Sequence, residues 1–292
     1  MVAIFIPLFN GGTLWKECAL AIKDAELQCK KVLVIDSGST DGSDIVAINA
    51  GFELVRIEKN DFDHGGTRRM AAQLLKDYKI LVYMTQDAIL ASSNAVEILV
   101  SAFKDSKVGA AYGRQLPRQE ANPIEAHARF FNYPNISNKR TFTDVPNMGI
   151  KTAFMSNSFA AYRADALFKS GCFSDKLIFG EDTIAAAHML QLGWSVAYVA
   201  EAKVYHSHNY TLTQEFKRYF DIGAMHRNQS WFINTFGKPE GEGLRFIKSE
   251  LSYLFKIDIW LIPQAIVRNL VKYVGYKLGQ RANCLSKLAR RI

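Results

Sequence analysis

Short apolar runs alternate along most of the chain with segments whose apolar residues recur at helical spacing. The apolar runs predict β-strands at 2–8, 31–35, 52–57, 79–85, 108–112, 159–162 and 195–199. The segments between them predict helices at 13–28, 44–50, 67–77, 92–104, 164–170 and 181–192. Because strands that alternate with helices form βαβ units, we expect an α/β fold with a mostly parallel central sheet and helices on both faces.

The alternation fails between 113 and 151, where four prolines separate polar and aromatic residues and one helix is predicted near 124–131. The chain has 292 residues, which is long for one domain and short for two. We therefore predict a body at 1–244, divided near residue 115, and a helical tail at 245–292.

The charge is concentrated in the tail. The net charge is +8, and the tail holds ten Lys or Arg residues against two acidic ones, so the body is neutral. Two apolar stripes are predicted in the tail, the second with Arg268 and Lys272 on its opposite side. A basic amphipathic helix is typical of a segment that lies on an anionic membrane. A helical pair packed on the body, or a homodimer contact, would give the same pattern.

Composition excludes several classes of protein. Apolar residues make up 49% and charged residues 22%, which excludes wholesale disorder. The four cysteines form no CxxC pair, which argues against a disulfide scaffold or a zinc ribbon and favours a reducing compartment. We expect no membrane-spanning helix and no signal peptide. We expect no nucleic-acid partner either, because the body is neutral and carries no nucleic-acid motif.

Polar and glycine-rich residues follow the first four strands, at 7–12, 36–43, 61–68 and 86–87. Ligands of an open parallel sheet bind beyond the carboxyl ends of its strands, so these four segments predict a site at one edge. Helix-capping turns have a similar composition and are the alternative for any single segment. The absence of GxGxxG and GxxxxGK[ST] motifs weakens the dinucleotide-dependent oxidoreductase and P-loop interpretations.

Two motifs carry a family resemblance: IFIPLFN at 4–10 and VIDSGSTDG at 34–42. They resemble the start of a family 2 glycosyltransferase with the A-type nucleotide-sugar-binding fold, over about residues 2–235. Three further stretches, at 62–68, 85–88 and 112–115, resemble the bacterial rhamnosyltransferases of cell-surface polysaccharide synthesis. The resemblance makes 1–244 a catalytic domain, with a nucleotide-binding half at 1–115 and an acceptor-side half at 116–244.

The resemblance implies an inverting, metal-dependent transfer of a sugar, rhamnose from dTDP-rhamnose, to a lipid-linked glycan for O-antigen or capsule-type polysaccharide. The expected location is the cytoplasm, at the inner face of the cell membrane. One rival is a sugar-phosphate nucleotidyltransferase, which would need a basic residue in the glycine-rich loop after the first strand. A second rival is a catalytically decayed scaffold on the membrane.

The donor nucleotide is expected at the residues that follow the first four strands: Pro7, Phe9, Asn10, Asp36, His64, Gly66, Arg68, Gln86 and Asp87. Phe9 either stacks on the base or belongs to the core, and Asp36 matches the family aspartate that binds base or ribose. The amides of 65–67 would hold a phosphate at a helix start, with charge from Arg68. A capped helix with a surface arginine is the alternative there, and His64 is either a donor contact or a surface residue.

A divalent cation, Mn²⁺ or Mg²⁺, would neutralise the departing diphosphate. The family usually has Asp-x-Asp after its fourth strand, and here Thr85-Gln86-Asp87 keeps only the second acid. We predict Asp87 and His206 as metal ligands, with His208 as the second choice for the histidine. Neutral imidazole favours Mn²⁺. A helix cap at Asp87 is the alternative.

The segment FGEDT at 179–183 resembles the family's Glu-Asp motif on the acceptor side. An inverting transfer needs a base that removes the proton of the acceptor hydroxyl. Following the motif, we predict Asp182 as that base and Glu181 as a supporting or acceptor-binding residue. The alternative is a pair of acids favoured by the helix dipole in a first turn.

Overall fold

The computed structural model describes residues 1–26, 30–175, 177 and 179–282, and only the backbone of Lys30 and Glu240. The strands are β1 Val2–Leu8, β2 Lys30–Asp36, β3 Glu53–Arg56, β4 Ile80–Met84, β5 Ile89–Leu90, β6 Val108–Leu116, β7 Asn138–Arg140, β8 Phe159–Arg163 and β9 Ser195–Tyr205. The helices are α1 Gly12–Lys23, α2 Ser43–Asn49, α3 His64–Leu74, α4 Ala95–Ser101, α5 Pro123–Asn132, α6 Val145–Met148, α7 Ala164–Lys169, α8 Glu181–Gln191, α9 Leu212–Asn228, α10 Ser230–Phe236, α11 Glu240–Ile257 and α12 Ile262–Arg281.

The strands form one sheet in the order β3-β2-β1-β4-β8-β6-β9-β5, with β7 paired to β9. The four strands β1 to β4 are parallel, as are β6 and β9, whereas β8 runs antiparallel between β4 and β6. A separate apolar core covers each face of the sheet, one around Trp15 and Ile22 of α1 and the other around Ile184 and Met189 of α8. The predicted fold class is therefore confirmed.

The pairing of β5 with β9 brings two distant parts of the chain together. Ile89 lies opposite Tyr205, so the turn after β4 sits beside the end of β9. The sequence predicted that β9 ends at 199, before a short loop, and this is wrong. The strand runs on to Tyr205, through a register shift against β6, and its alternating buried residues continue to Val204. His206 therefore follows the strand directly.

The tail is packed on the body. The predicted boundary at 244/245 falls inside α11, and α12 lies along α9. Arg268 and Lys272 of α12 both pair with Glu215 of α9, at 3.0 and 3.4 Å. Their side chains are 12% exposed, so the charged side of α12 faces the protein and the apolar side faces outward. The basic residues Lys287, Arg290 and Arg291 lie outside the described residues.

Candidate active site

One carboxylate and two imidazoles meet where β4 and β9 end. Asp87 lies in the turn between β4 and β5, and His206 and His208 follow β9. Asp87 Oδ1 is 3.4 Å from His206 Nε2, and Asp87 Oδ2 is 3.4 Å from His208 Nε2. The two Nε2 atoms are 3.1 Å apart. The structure thus brings the predicted ligands Asp87 and His206 together and adds His208 to them.

These three side chains have the spacing and chemistry of a cation site. Ligands about 2.1 Å from one ion and at right angles to each other lie roughly 3 Å apart, close to the separations seen here. Burial lowers the pKa of His206, and burial followed by the neighbouring His206 lowers that of His208 to about 4. Both imidazoles are therefore neutral near pH 7 and offer lone pairs. Among the described residues, they and Asp87 form the only group of three such ligands.

A buried polar network orients His206. Its Nδ1 lies 2.9 Å from Gln115 Oε1, which also accepts from Arg129 at 2.6 Å. Because the amide oxygen can only accept, Nδ1 carries the proton and Nε2 keeps its lone pair toward Asp87. Glu125 holds Arg129 at 2.6 Å and also accepts from the backbone N–H of His208 at 3.3 Å. The network therefore fixes both histidines.

The guanidinium of Arg118 lies beside Asp87 and brings a positive charge to this cluster. One of its guanidinium nitrogens donates to the Asp87 carbonyl oxygen at 2.8 Å and lies 3.5 Å from Asp87 Oδ2. Its side chain is 10% exposed, and its Nε has no hydrogen-bond partner. Arg118 lines a cavity of about 230 Å³ together with Ser207, His208 and Tyr210. A fixed positive charge beside a carboxylate suits a site for a diphosphate.

The adjacent acids at the start of α8 point to different partners. Glu181 is 6% exposed and pairs with Arg68 at 3.2 Å, while Asn157 Nδ2 donates to it at 3.3 Å. Asp182 is more exposed than Glu181. Asp182 Oδ2 accepts from the backbone N–H of Asn157 at 3.0 Å, and Oδ1 accepts from that of Thr183 at 2.7 Å. Glu181 therefore belongs to a buried ion pair, whereas Asp182 lies at a partly exposed position.

Their environments also separate their pKa values. Burial opposes ionisation of Glu181, but the charges of Arg68 and His64 outweigh it and lower the pKa. Burial, and then the negative charge of Glu181, raise the pKa of Asp182 to about 6. A carboxylate whose pKa is raised toward the operating pH is better suited to take a proton than an ordinary aspartate. The roles of Asp182 as the base and Glu181 as a supporting or acceptor-binding residue stay predictions.

The end of β1 carries the side chains predicted for the nucleotide. Phe9 is 37% exposed, with Lys59 Nζ 4.7 Å from its ring centre. The core alternative for Phe9 is therefore wrong. Gln86 accepts from the N–H of Phe9 at 2.8 Å and donates to its carbonyl at 3.0 Å, so its amide ties the end of β4 to that of β1. Pro7 lies within β1, opposite Ile35 of β2.

The loop after β2 is ordered by its own acids. Asp36 is 2% exposed, and its carboxylate accepts from the N–H groups of Gly38 and Ser39 at 3.2–3.3 Å. Contact of Asp36 with base or ribose stays a prediction. Asp41 accepts from Ser43 N at the start of α2 and from Gly12 N, each at 3.0 Å, as expected of a turn residue. Asn10 Oδ1 accepts from Thr40 N at 2.8 Å and joins the two loops.

The phosphate site predicted at the start of α3 is not supported. The helix begins at His64, and Asp63 accepts from the amides of Gly65 and Gly66 at 3.0 Å each, so those amides are already bonded. Arg68 is 5% exposed and faces Glu181, and one of its nitrogens also lies 3.1 Å from His64 Nδ1. Arg68 is therefore not a surface residue, and its guanidinium faces Glu181 and not a free amide site for phosphate. Its charge lowers the pKa of Glu181. His64 is exposed, and donor contact by His64 or Gly66 stays a prediction.

Sequence reasoning missed Arg118, Arg129 and Asn157. Arg118 comes from the irregular segment, and Arg129 from the one helix predicted within it. No motif there indicates which side chains face the site. Asn157 precedes β8, an antiparallel strand whose position between β4 and β6 cannot be read from periodicity. Gln115 lies in one of the motifs that carry the resemblance, and its contact with His206 depends on the register of β6 with β9.

Solved structures share this architecture. A mannosyltransferase from Pyrobaculum calidifontis in complex with GDP-mannose and Mn²⁺ aligns with 99% of this chain and 77% of its own, at a TM-score of 0.60 and 16% identity. The S. aureus protein TarS 1–349 in complex with UDP-GlcNAc aligns with 96% of this chain and 90% of its own, at a TM-score of 0.54 and 10% identity. These likenesses establish the A-type glycosyltransferase fold.

The sequence itself places the chain more narrowly. The model of glycosyl transferase family 2 matches residues 3–170. The chain is 44% identical over 280 residues to the O-antigen chain rhamnosyltransferase RfbN of Salmonella typhimurium, over 96% of this chain and 89% of that one. It is 43% identical over 278 residues to the O-antigen chain rhamnosyltransferase WbaN of Salmonella anatum, over 95% of this chain and 88% of that one. The chain belongs to glycosyltransferase family 2.

Proposed function

We propose that this glycosyltransferase moves rhamnose from dTDP-rhamnose to a lipid-linked glycan in O-antigen chain synthesis, with inversion at the anomeric carbon. The two relatives that match nearly the whole chain are O-antigen chain rhamnosyltransferases, which favours this donor and pathway. The observation that supports this chemistry most directly is that one site contains both possible metal ligands and a carboxylate suited to take a proton. The possible metal ligands Asp87, His206 and His208 lie with Arg118 where β4 and β9 end. Asp182, whose pKa is raised, lies in the first turn of α8.

In this scheme Asp182 removes the proton from the acceptor hydroxyl as its oxygen attacks the anomeric carbon. The bond from that carbon to the diphosphate breaks on the opposite side, which inverts the configuration. Asp87, His206 and His208 would hold a divalent cation, and Mn²⁺ suits their donor set. When bound, such an ion neutralises charge on the departing diphosphate. Arg118 adds a fixed positive charge beside it.

The contacts of Gly11 and Gly12 argue against a sugar-phosphate nucleotidyltransferase. That class would bind phosphate in the loop after β1, but the amides of Gly11 and Gly12 donate to Ser43 and Asp41, at 2.9 and 3.0 Å. A decayed site is disfavoured because the ligand cluster and its supporting network are intact despite the missing first acid.

Turnover with purified full-length chain, Mn²⁺, and lipid-linked glycan from a rhamnosyltransferase-deficient strain tests the proposal. We expect dTDP release and a rhamnosylated product from dTDP-rhamnose, with the anomeric configuration inverted by NMR. UDP-glucose and GDP-mannose serve as competing donors. Transfer from either of those, with none from dTDP-rhamnose, would replace the proposed donor, and retention of configuration would remove the role given to Asp182.

A further inference from the structure

The helix α12 packs on the body with its charged side inward. Its contact with the body is made mostly by charged and small residues, with one aromatic residue: Ala265, Arg268, Lys272, Gly275, Tyr276 and Gly279. The backbones approach so closely that a Cβ on Gly275 would lie 2.7 Å from Phe216 O, and one on Gly279 2.0 Å from Phe220 O. This contact with α9 fixes which side of α12 points away from the protein.

The opposite side of α12, which we call the outward face, is apolar. It consists of Ile266, Val267, Leu270, Tyr273, Val274 and Leu278, each between 40% and 60% exposed. At roughly 100° per residue, these positions cover a continuous arc on the side away from α9. An amphipathic helix of a soluble protein normally buries that arc. Here nothing in the described part of the chain covers it.

Four further exposed apolar residues lie at the end of α11 and in the turn that leads into α12. Phe255, Ile257, Ile259 and Trp260 are 69%, 59%, 49% and 87% exposed. Ten of the twenty-five exposed large hydrophobic side chains of the described chain therefore lie between 255 and 278. Scattered exposed apolar residues are normal, but such a concentration in one segment of the chain indicates an interaction surface.

The chemistry of this surface fits a phospholipid bilayer. Trp260 and Tyr273 are the residue types enriched at membrane interfaces. Lys256 and Arg281 are exposed at its two ends, and Lys277 lies 5.7 Å from the ring centre of Tyr273. Between 255 and 282 the only acidic residue is Asp258, which caps Trp260 N. A second copy docked symmetrically here would bring like charges together, whereas an anionic bilayer would attract them.

We propose that the outward face and the segment 255–260 dock on an anionic phospholipid bilayer, as an interfacial surface rather than a span. None of the described helices combines the length and apolar character needed to cross a membrane. Arg268 donates to the Tyr210 carbonyl at 2.8 Å, and the Tyr210 ring stacks on His208 with centres 5.1 Å apart. Docking would therefore place α12 between the lipid and the ligand cluster. A catalytic use of this placement rests on the proposed lipid-linked acceptor, whereas docking itself does not.

Vesicle flotation of the full chain tests the proposal, with phosphatidylethanolamine and phosphatidylglycerol at 3:1 against phosphatidylcholine alone. We expect flotation with the anionic vesicles, reduced but not abolished by high salt, because the apolar contribution is not screened. Leu270→Glu should lower the bound fraction about tenfold, since one buried leucine is lost. Leu20→Glu is the matched control, because Leu20 is 59% exposed on α1 and Leu270 is 60% exposed on α12.

Trp260 gives a second readout that needs no destabilising change. Its emission should shift to the blue on adding anionic vesicles, and Trp260→Phe should remove most of that shift.

Equal loss of binding in Leu20→Glu and Leu270→Glu, or no binding by the full chain, would overturn the proposal. So would a dimer in equilibrium sedimentation that Leu270→Glu dissociates. Release of dTDP from donor in solution, measured in the same variants, distinguishes a failure of docking from a failure of the proposed transfer.

Discussion

The backbone N–H of Asn157 donates to Asp182 Oδ2 across 3.0 Å, and this bond links the proposed base to the ligand cluster. The preceding residue, Ser156, accepts from Gln115 Nε2 at 3.0 Å, and Gln115 in turn holds His206. The short segment before β8 therefore touches both halves of the site. A rigid connection of this kind fixes the acceptor side against the donor side, which an attack opposite the leaving group requires.

Replacing Asp182 by Asn keeps the shape of the side chain and removes its ability to take a proton. We expect turnover to fall about 10²- to 10⁴-fold, with affinity for dTDP in the presence of Mn²⁺ unchanged. Steady-state kinetics and calorimetric titration of dTDP measure the two effects. Asp165→Asn, on the exposed surface of α7, is the control. Near-normal turnover in Asp182→Asn would move the base elsewhere, with Glu181 as the next candidate.

The raised pKa of Asp182 also predicts a pH profile. Since the ionised carboxylate is the active form, kcat/KM should rise with pH through about 6. A profile limb near pH 4 would mean that burial and Glu181 do not act on this group as the structure indicates. The profile should be measured with Mn²⁺ saturating at every pH, so that protonation of the metal ligands is not mistaken for that of the base.

The raised pKa of Asp182 also lowers the free energy of unfolding at neutral pH. A carboxyl whose pKa is raised on folding stabilises the folded state below its unfolded pKa, and that contribution is lost as pH rises through about 6. At pH 7.5, Asp182→Asn should therefore be more stable than the parent, by on the order of 1–3 kcal/mol. Below pH 4 the difference should vanish. Urea unfolding at both pH values measures it, and a less stable variant at pH 7.5 would contradict the prediction.

How much the sequence revealed depended on whether a contact is local. The strands β1 to β4 and the position of Asp87 follow from alternation and motifs along the chain, whereas the sequence leaves the exposure of Phe9 open between base stacking and the core. The partnership of Asp87 with His208 required the antiparallel pairing of Ile89 with Tyr205, which a period-2 pattern does not specify. The ion pair of Arg68 with Glu181 spans more than a hundred residues. From the sequence alone both residues would be expected at the surface. Their pairing depends on the packing of α3 and α8 in the same apolar core, on one face of the sheet.

The ion pair of Arg68 and Glu181 should be costly to break. Both side chains are under 10% exposed, so removing one leaves the other charged and unpaired in the interior. We expect Arg68→Met to lower the free energy of unfolding by about 3–5 kcal/mol. Adding Glu181→Gln should restore much of that loss. Arg56→Met is the control, because its pair with Asp44 lies at the surface and its loss should cost under about 1 kcal/mol. A double variant no more stable than Arg68→Met would disprove the pairing argument.

The ligand cluster should respond to substitutions according to burial. Asp87→Ala and His206→Ala should each abolish the gain in dTDP affinity that Mn²⁺ gives. His208→Ala should weaken it less, because His208 is 33% exposed and its place is open to water as a ligand, whereas His206 is 7% exposed. His188→Ala, on α8 and outside the cluster, is the control. Calorimetric titration of dTDP with and without Mn²⁺ measures each effect. Equal affinity in both conditions for the parent chain would leave Asp87 as a turn residue only.

Gln115 should act through His206 and not on the substrate. Gln115→Leu leaves the Nδ1–H of His206 and the guanidinium of Arg129 without their shared acceptor. The imidazole then loses the bond that selects its tautomer. We expect affinity for Mn²⁺ to fall about 10- to 100-fold, the usual range for a lost partner of a metal-bound histidine. Gln115→Glu keeps an acceptor oxygen for both donors and should restore most of that affinity, which a purely structural role would not predict. Mn²⁺ binding followed by electron paramagnetic resonance measures the series without turnover. Equal losses in the Leu and Glu variants would mean that the packing of Gln115, and not its acceptor oxygen, supports the site.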